Sequence, residues 1–81
     1  MILYMKQGCP YCAKVIAAAK RLNMGFDEVK DIADEGVSVE LVALGGRKMV
    51  PFLVDREAGV SMYESDDIVE YMEKKASDVS S

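Results

Sequence analysis

Residues 8–12 read GCPYC and hold both cysteines of the chain. The stretch before them, MILYMK (1–6), is apolar and suits a short buried strand. The stretch after them, PYCAKVIAAAKRLNM (10–24), places Cys12, Val15, Ile16, Ala19 and Leu22 at helical spacing, and its alanines favour helix. GCPYC therefore straddles a strand-to-helix junction, with Pro10 at the first helical position that proline favours.

Reading outward, Gly25 is expected to close this helix. FDEVKDI (26–32) alternates weakly and predicts a second strand. Asp34 or Ser38 caps a short helix through VELVAL (39–44), which Gly45 and Gly46 end. PFLVD (51–55) and VSMYE (60–64), separated by REAG, predict a β-hairpin. Ser65 then caps DDIVEYMEKK (66–75), with acids at its start and lysines at its end as the helix dipole prefers. The order is β-α-β-α-β-β-α, an α/β arrangement of one mixed sheet covered by helices. The domain is expected to span 1–76, with a frayed tail at 77–81.

At 81 residues, 51% of them apolar, the chain is one domain with enough hydrocarbon for a core. No apolar run approaches membrane-spanning length, and MILYMK is too short for a signal-peptide core. The expectation is a cytoplasmic protein without a membrane partner, in a compartment that keeps thiols reduced. A net charge of −4 argues against nucleic acid. The charge is uneven: residues 1–26 carry Lys6, Lys14, Lys20 and Arg21 and no acid. That segment would attract an anionic small molecule, although a solvated helix face accounts for Lys14, Lys20 and Arg21.

Cys9 falls at the start of the helix, where unpaired N–H groups and a partial positive charge stabilise a thiolate. Such a cysteine is a nucleophile near neutral pH, and Lys6 adds a full positive charge three residues earlier. Cys12 belongs to the apolar stripe, so it is expected to be shielded, one turn below Cys9. This asymmetry suits sequential thiol–disulfide exchange: Cys9 attacks a substrate disulfide, and Cys12 attacks the resulting mixed disulfide. A structural bridge over so few residues would constrain the unfolded chain little. A zinc site needs about four ligands, which two cysteines without histidine do not supply. A Cys–His hydrolase is excluded, because the chain has no histidine. A cluster bridged between two chains stays open.

CPYC after a first strand, followed by VPFLVD (50–55) and ESDDIVEYM (64–72), resembles the glutaredoxin family of the thioredoxin fold over roughly residues 1–75. The resemblance implies a four-stranded mixed sheet flanked by helices. It also implies glutathione as co-substrate, no permanently bound cofactor, no metal, and a monomer acting on disulfide-bearing or glutathionylated proteins. By position, Cys9 would be the nucleophile and Cys12 the resolving thiol. Lys6 would meet a glutathione carboxylate, and Tyr11 would sit beside the active site. Val50 and Pro51 match the family's TVP segment, where the proline is cis and the preceding backbone pairs with the cysteinyl part of glutathione by strand addition. Ser65 and Asp66 match the site for the γ-glutamyl end: a helix start suits its carboxylate, and Asp66 or Asp67 its ammonium.

The match has departures. Tyr63-Glu64 stands where most glutaredoxins have Gly-Gly, and Met49 replaces the threonine of TVP. YESDDIVEYM (63–72) is nearer to the glutathione-binding segment of glutathione-transferase N-terminal domains. These changes bear on glutathione affinity and orientation and leave the dithiol chemistry intact. A transferase also needs a further helical domain for its second substrate, which these residues are not expected to supply. The leading expectation is a glutathione-dependent dithiol oxidoreductase. The alternatives are a reductase fed by a thioredoxin reductase, a glutathione-bridged iron–sulfur carrier or sensor, and a transferase.

Overall fold

A computed structural model describes residues 1–80, with side chains through residue 77. The elements run β1 (Ile2–Met5), α1 (Pro10–Arg21), β2 (Glu28–Asp31), α2 (Glu35–Gly45), β3 (Phe52–Asp55), β4 (Val60–Met62) and α3 (Ser65–Ser80). The expected order is found. The backbone of the stretch expected to fray is helical as far as Ser80, and residue 81 lies outside the described residues. The four strands form one sheet in the order β2-β1-β3-β4. β1 pairs parallel with β2, β3 pairs antiparallel with β1, and β4 antiparallel with β3.

Strand alternation divides the core into two layers. Leu3 and Leu53 are opposite each other in the β1–β3 register and face Val15, Ala18 and Ala19 of α1 and Ile68 and Met72 of α3. Ile2, Tyr4 and Phe52 point the other way and pack with Leu41 of α2 and with Ile32. Thus α1 and α3 cover one face of the sheet, and α2 covers the other. Tyr4 is fully buried, and its hydroxyl donates to Glu40 at 2.9 Å. Glu40 also accepts from Lys30 at 3.0 Å, which joins α2 to β2. No helix among the described residues is long and apolar enough to cross a membrane.

Two helix ends differ in detail from the sequence reading, and at a third the structure selects one of the two candidates it offered. α1 stops before Gly25, because Asn23 adopts φ 55° and completes the turn. The Met24 N–H reaches the Ala19 carbonyl at 2.8 Å and the Asn23 N–H reaches Lys20 at 3.1 Å, the paired bonds of a Schellman end with asparagine in the left-handed position. At α2, the choice between Asp34 and Ser38 falls to Asp34, whose carboxylate accepts from the N–H groups of Gly36 and Val37. Ser38 lies buried within the helix. At α3, the expected cap is displaced by one residue. The first helical bond runs from the Ile68 N–H to the Glu64 carbonyl at 2.9 Å, so Glu64 is the cap and Ser65 the first helical residue.

Candidate functional site

The topology brings three chain segments to one end of the sheet. β1 ends at Met5 and runs through the turn Lys6–Cys9 into α1. That turn closes with the Cys9 N–H on the Lys6 carbonyl at 3.2 Å, and Gly8 takes φ 82° at its third position, a conformation glycine adopts without penalty. β3 starts at Phe52, opposite Tyr4, so Pro51 arrives beside the end of β1. The Val50–Pro51 peptide bond is cis. β4 returns along β3 to Met62, so Tyr63 and the start of α3 reach the same end, with the Tyr63 and Phe52 ring centroids 4.5 Å apart.

Cys9 is the N-cap of α1 and is half-buried. Its Sγ accepts from the Cys12 N–H at 3.4 Å. Burial pushes the Cys9 thiol up, but several groups together outweigh it: the Cys12 N–H, the Cys12 thiol, the Tyr11 N–H and the Lys6 charge. The net pKa lies below the ordinary thiol value. Cys12 is 1% exposed, in the core-facing stripe of α1. Burial, helped by the neighbouring Cys9 and by Asp31, raises its pKa to about 11 against a lowering hydrogen bond from the Lys6 backbone. The pair is therefore one accessible thiol biased towards the anion above one shielded thiol held protonated. Both are free thiols.

Beside the first turn of α1 lies a groove of about 370 Å³ walled by Tyr11, Met49, Val50, Pro51, Tyr63, Glu64, Ser65 and Asp66. Of the residues the sequence singled out, Tyr11, Val50, Pro51, Ser65 and Asp66 meet here. Lys6 is not among the groove walls, and its charge acts on Cys9 instead. Tyr63 and Glu64, read in the sequence as part of a segment like the glutathione-binding one of glutathione-transferase N-terminal domains, are groove walls as well, placed there because they connect β4 to Ser65. Lys14 was missed: read as a solvated helix residue, it pairs with the Asp66 carboxylate across the gap between α1 and α3. A second concavity, of about 430 Å³, lies at the opposite end of the sheet near Met1, Asp27 and Asp55. Its charges largely satisfy one another, with the Met1 ammonium 2.7 Å from Asp27 and Lys75 2.6 Å from Asp55. Among the described residues, no cluster of three or more histidines, cysteines or carboxylates is arranged to hold a metal ion.

A mixed sheet in the order β2-β1-β3-β4 with a Cys-X-X-Cys at the β1–α1 junction and a cis-proline opposite it defines a thioredoxin-fold protein. Residues 3–80 match the family described as glutathione S-transferase, N-terminal domain, and the chain belongs to that family. Among solved structures it is similar to an epsilon-class glutathione S-transferase from the housefly Musca domestica, with 27% identity and a TM-score of 0.75. It is likewise similar to a glutathione S-transferase from the Antarctic clam Laternula elliptica, with 27% identity and a TM-score of 0.76. Each match covers 93% of this chain but only 34% of the relative, so the chain spans about a third of those proteins' length. No curated protein matches the chain by sequence.

Proposed function

We propose that the chain is a glutathione-dependent thiol–disulfide oxidoreductase of glutaredoxin type, built on the glutathione-transferase N-terminal fold. One observation carries the reading: the Cys9 sulfur caps α1 with a lowered pKa, directly over a buried Cys12 whose pKa is raised. A domain that only positions glutathione for a second domain has no use for that asymmetry. A dithiol reductase requires it.

In the protein-disulfide reaction, the Cys9 thiolate attacks one sulfur of the substrate and expels the other as a thiolate, leaving a mixed disulfide on Cys9. Cys9 then carries no negative charge, so the part of the Cys12 shift due to the Cys9 anion disappears. Cys12 gives up its proton, attacks the Cys9 sulfur, releases the second substrate thiolate and closes the Cys9–Cys12 disulfide. Two glutathione molecules return the protein to the dithiol and leave as one oxidised glutathione. With a glutathionylated protein, Cys9 attacks the glutathione sulfur, and a second glutathione clears Cys9 without help from Cys12.

The groove supports glutathione as the thiol reductant. It is large enough for a small peptide, has an apolar floor at Val50 and Pro51, and ends in polar groups at the start of α3. Ser65, Asp66 and the free N–H groups of that helix start suit a γ-glutamyl end. The protein acts as a monomer on disulfide-bearing or glutathionylated proteins in the cytoplasm. The test is to offer the oxidised protein glutathione with glutathione reductase, and separately thioredoxin reductase. Turnover by the glutathione couple is expected, and turnover by thioredoxin reductase alone overturns the reading.

A further inference from the structure

Lys14 and Asp66 are 52 residues apart in sequence, yet they form an ion pair that bridges α1 and α3 at the rim of the groove. Asp66 is a groove wall; Lys14 reaches it from the α1 face adjoining Tyr11. None of the groove-wall side chains is basic, and two of them, Glu64 and Asp66, are acidic. A γ-glutamyl tripeptide carries two carboxylates and one ammonium. Its α-amino-acid end puts a carboxylate and an ammonium on the same carbon. Asp66 alone satisfies the ammonium but leaves the adjacent carboxylate close to like charge. A cation beside Asp66 removes that conflict.

We infer that the Lys14–Asp66 pair is a charge template for the zwitterionic end of the ligand, opening on binding so that the α-carboxylate takes Lys14 and the ammonium takes Asp66. One ion pair is exchanged for two, and charge stays balanced throughout. Both side chains are more than half exposed, at 53% and 82%, so the pair is screened by solvent and opens at little cost. The N–H groups at the start of α3 supplement Lys14 on the carboxylate side. Lys14 is in this sense a specificity-determining residue, selecting a free α-amino acid over an acyl or amine end. The inference rests on the glutathione reading above.

The test uses three unreactive probes and calorimetric binding to the reduced protein: S-methylglutathione, its analogue without the α-carboxylate (an S-methyl 4-aminobutanoyl-cysteinylglycine), and its analogue without the amino group (an S-methyl glutaryl-cysteinylglycine). Lys14→Gln is expected to weaken S-methylglutathione by about three- to tenfold, as for a partly exposed ion pair. The same variant binds the decarboxylated probe as tightly as wild type, or more tightly, because Asp66 no longer has to leave a lysine. Asp66→Asn gives the mirror pattern, weakening S-methylglutathione and sparing the probe without the amino group. A lysine that merely ties α1 to α3 would shift all three probes together, and that uniform result overturns the inference, as does binding of S-methylglutathione indifferent to Lys14. If wild type binds none of the probes, the glutathione reading itself falls and takes the inference with it.

Discussion

Tyr63 fastens the end of α2 to the start of α3 through Arg47. Its hydroxyl donates to the Arg47 carbonyl at 2.9 Å and accepts from the Arg47 N–H at 3.1 Å, while the Arg47 guanidinium lies over its ring at 4.7 Å. The ring itself stacks on Phe52 and forms one wall of the groove. The approach leaves no room at Gly45, where a Cβ would come within 2.7 Å of Tyr63 Cζ. The two glycines ending α2 therefore serve different ends: Gly46 supplies φ 87° for the cap, and Gly45 makes way for the tyrosine.

Tyr63→Phe should keep the stacking and lose both hydrogen bonds, costing about 1 kcal/mol and lowering the unfolding midpoint by ~4–8 °C. Gly45→Ala should cost more, about 1–3 kcal/mol, because the ring must leave its place. Thermal unfolding followed by circular dichroism measures both. An alanine variant as stable as wild type would mean that Tyr63 does not pack against Gly45 in solution.

Asp55 is expected to set the acid limit of stability. It is 2% exposed at the end of β3, where it accepts from Lys75 at 2.6 Å and from Tyr71 at 2.5 Å. The Lys75 and Tyr71 hydrogen bonds, opposed by burial, hold its carboxyl down to about 2. A depressed carboxyl pKa stabilises the fold above the unfolded value near ~3.9, and that contribution disappears as pH falls towards 2. Its size is roughly 1–2 kcal/mol, allowing for solvent around Lys75. Asp55→Asn should be less stable than wild type at neutral pH and should lose less between pH ~4 and ~2. Urea midpoints measured across that range decide it; parallel acid limbs would show that Asp55 is not the group responsible.

What the sequence made legible tracks how local each signal is. β1, α1 and the hairpin follow from residue alternation and helical spacing within a few positions, and the Cys9–Pro10–Cys12 arrangement follows from one turn of helix. Asn23 closing α1 and Glu64 capping α3 were harder. Each stands in place of a nearby, more typical residue (Gly25 and Ser65), and the choice shows only in the backbone bonds from Met24 to Ala19 and from Ile68 to Glu64. The groove was half legible. Pro51, Ser65 and Asp66 belong to a familiar pattern, whereas Lys14–Asp66 and Tyr63–Arg47 join segments 52 and 16 residues apart, and no short-range periodicity encodes such pairs.

The lowered Cys9 pKa predicts a pH profile. The rate of alkylation by a small uncharged reagent should rise with pH through an inflection below that of an ordinary thiol, and it should fall away only as acid protonates the sulfur. Lys6→Gln removes one of the groups favouring the anion, so its inflection should move up without reaching the ordinary value, because the N–H groups of Cys12 and Tyr11 remain. If the lysine variant behaves like a free thiol, the charge and not the helix start controls Cys9.

Cys12→Ser separates the two halves of the chemistry. Serine fits the buried position, and its hydroxyl can still donate to the Cys9 sulfur in place of the Cys12 thiol, while the backbone N–H bond at 3.4 Å is untouched. The Cys9 thiolate should therefore persist, with an alkylation profile close to wild type. A glutathionylated substrate needs only Cys9 and a second glutathione, so its reduction should continue at a rate within a few-fold of wild type. A protein disulfide leaves the substrate tethered to Cys9 with no internal thiol to release it, so its turnover should collapse and a covalent complex should accumulate on non-reducing gels. Cys9→Ser should abolish both reactions. A Cys12 variant inactive towards both substrates, with Cys9 still reactive to alkylation, would show that the buried thiol takes part in every turnover.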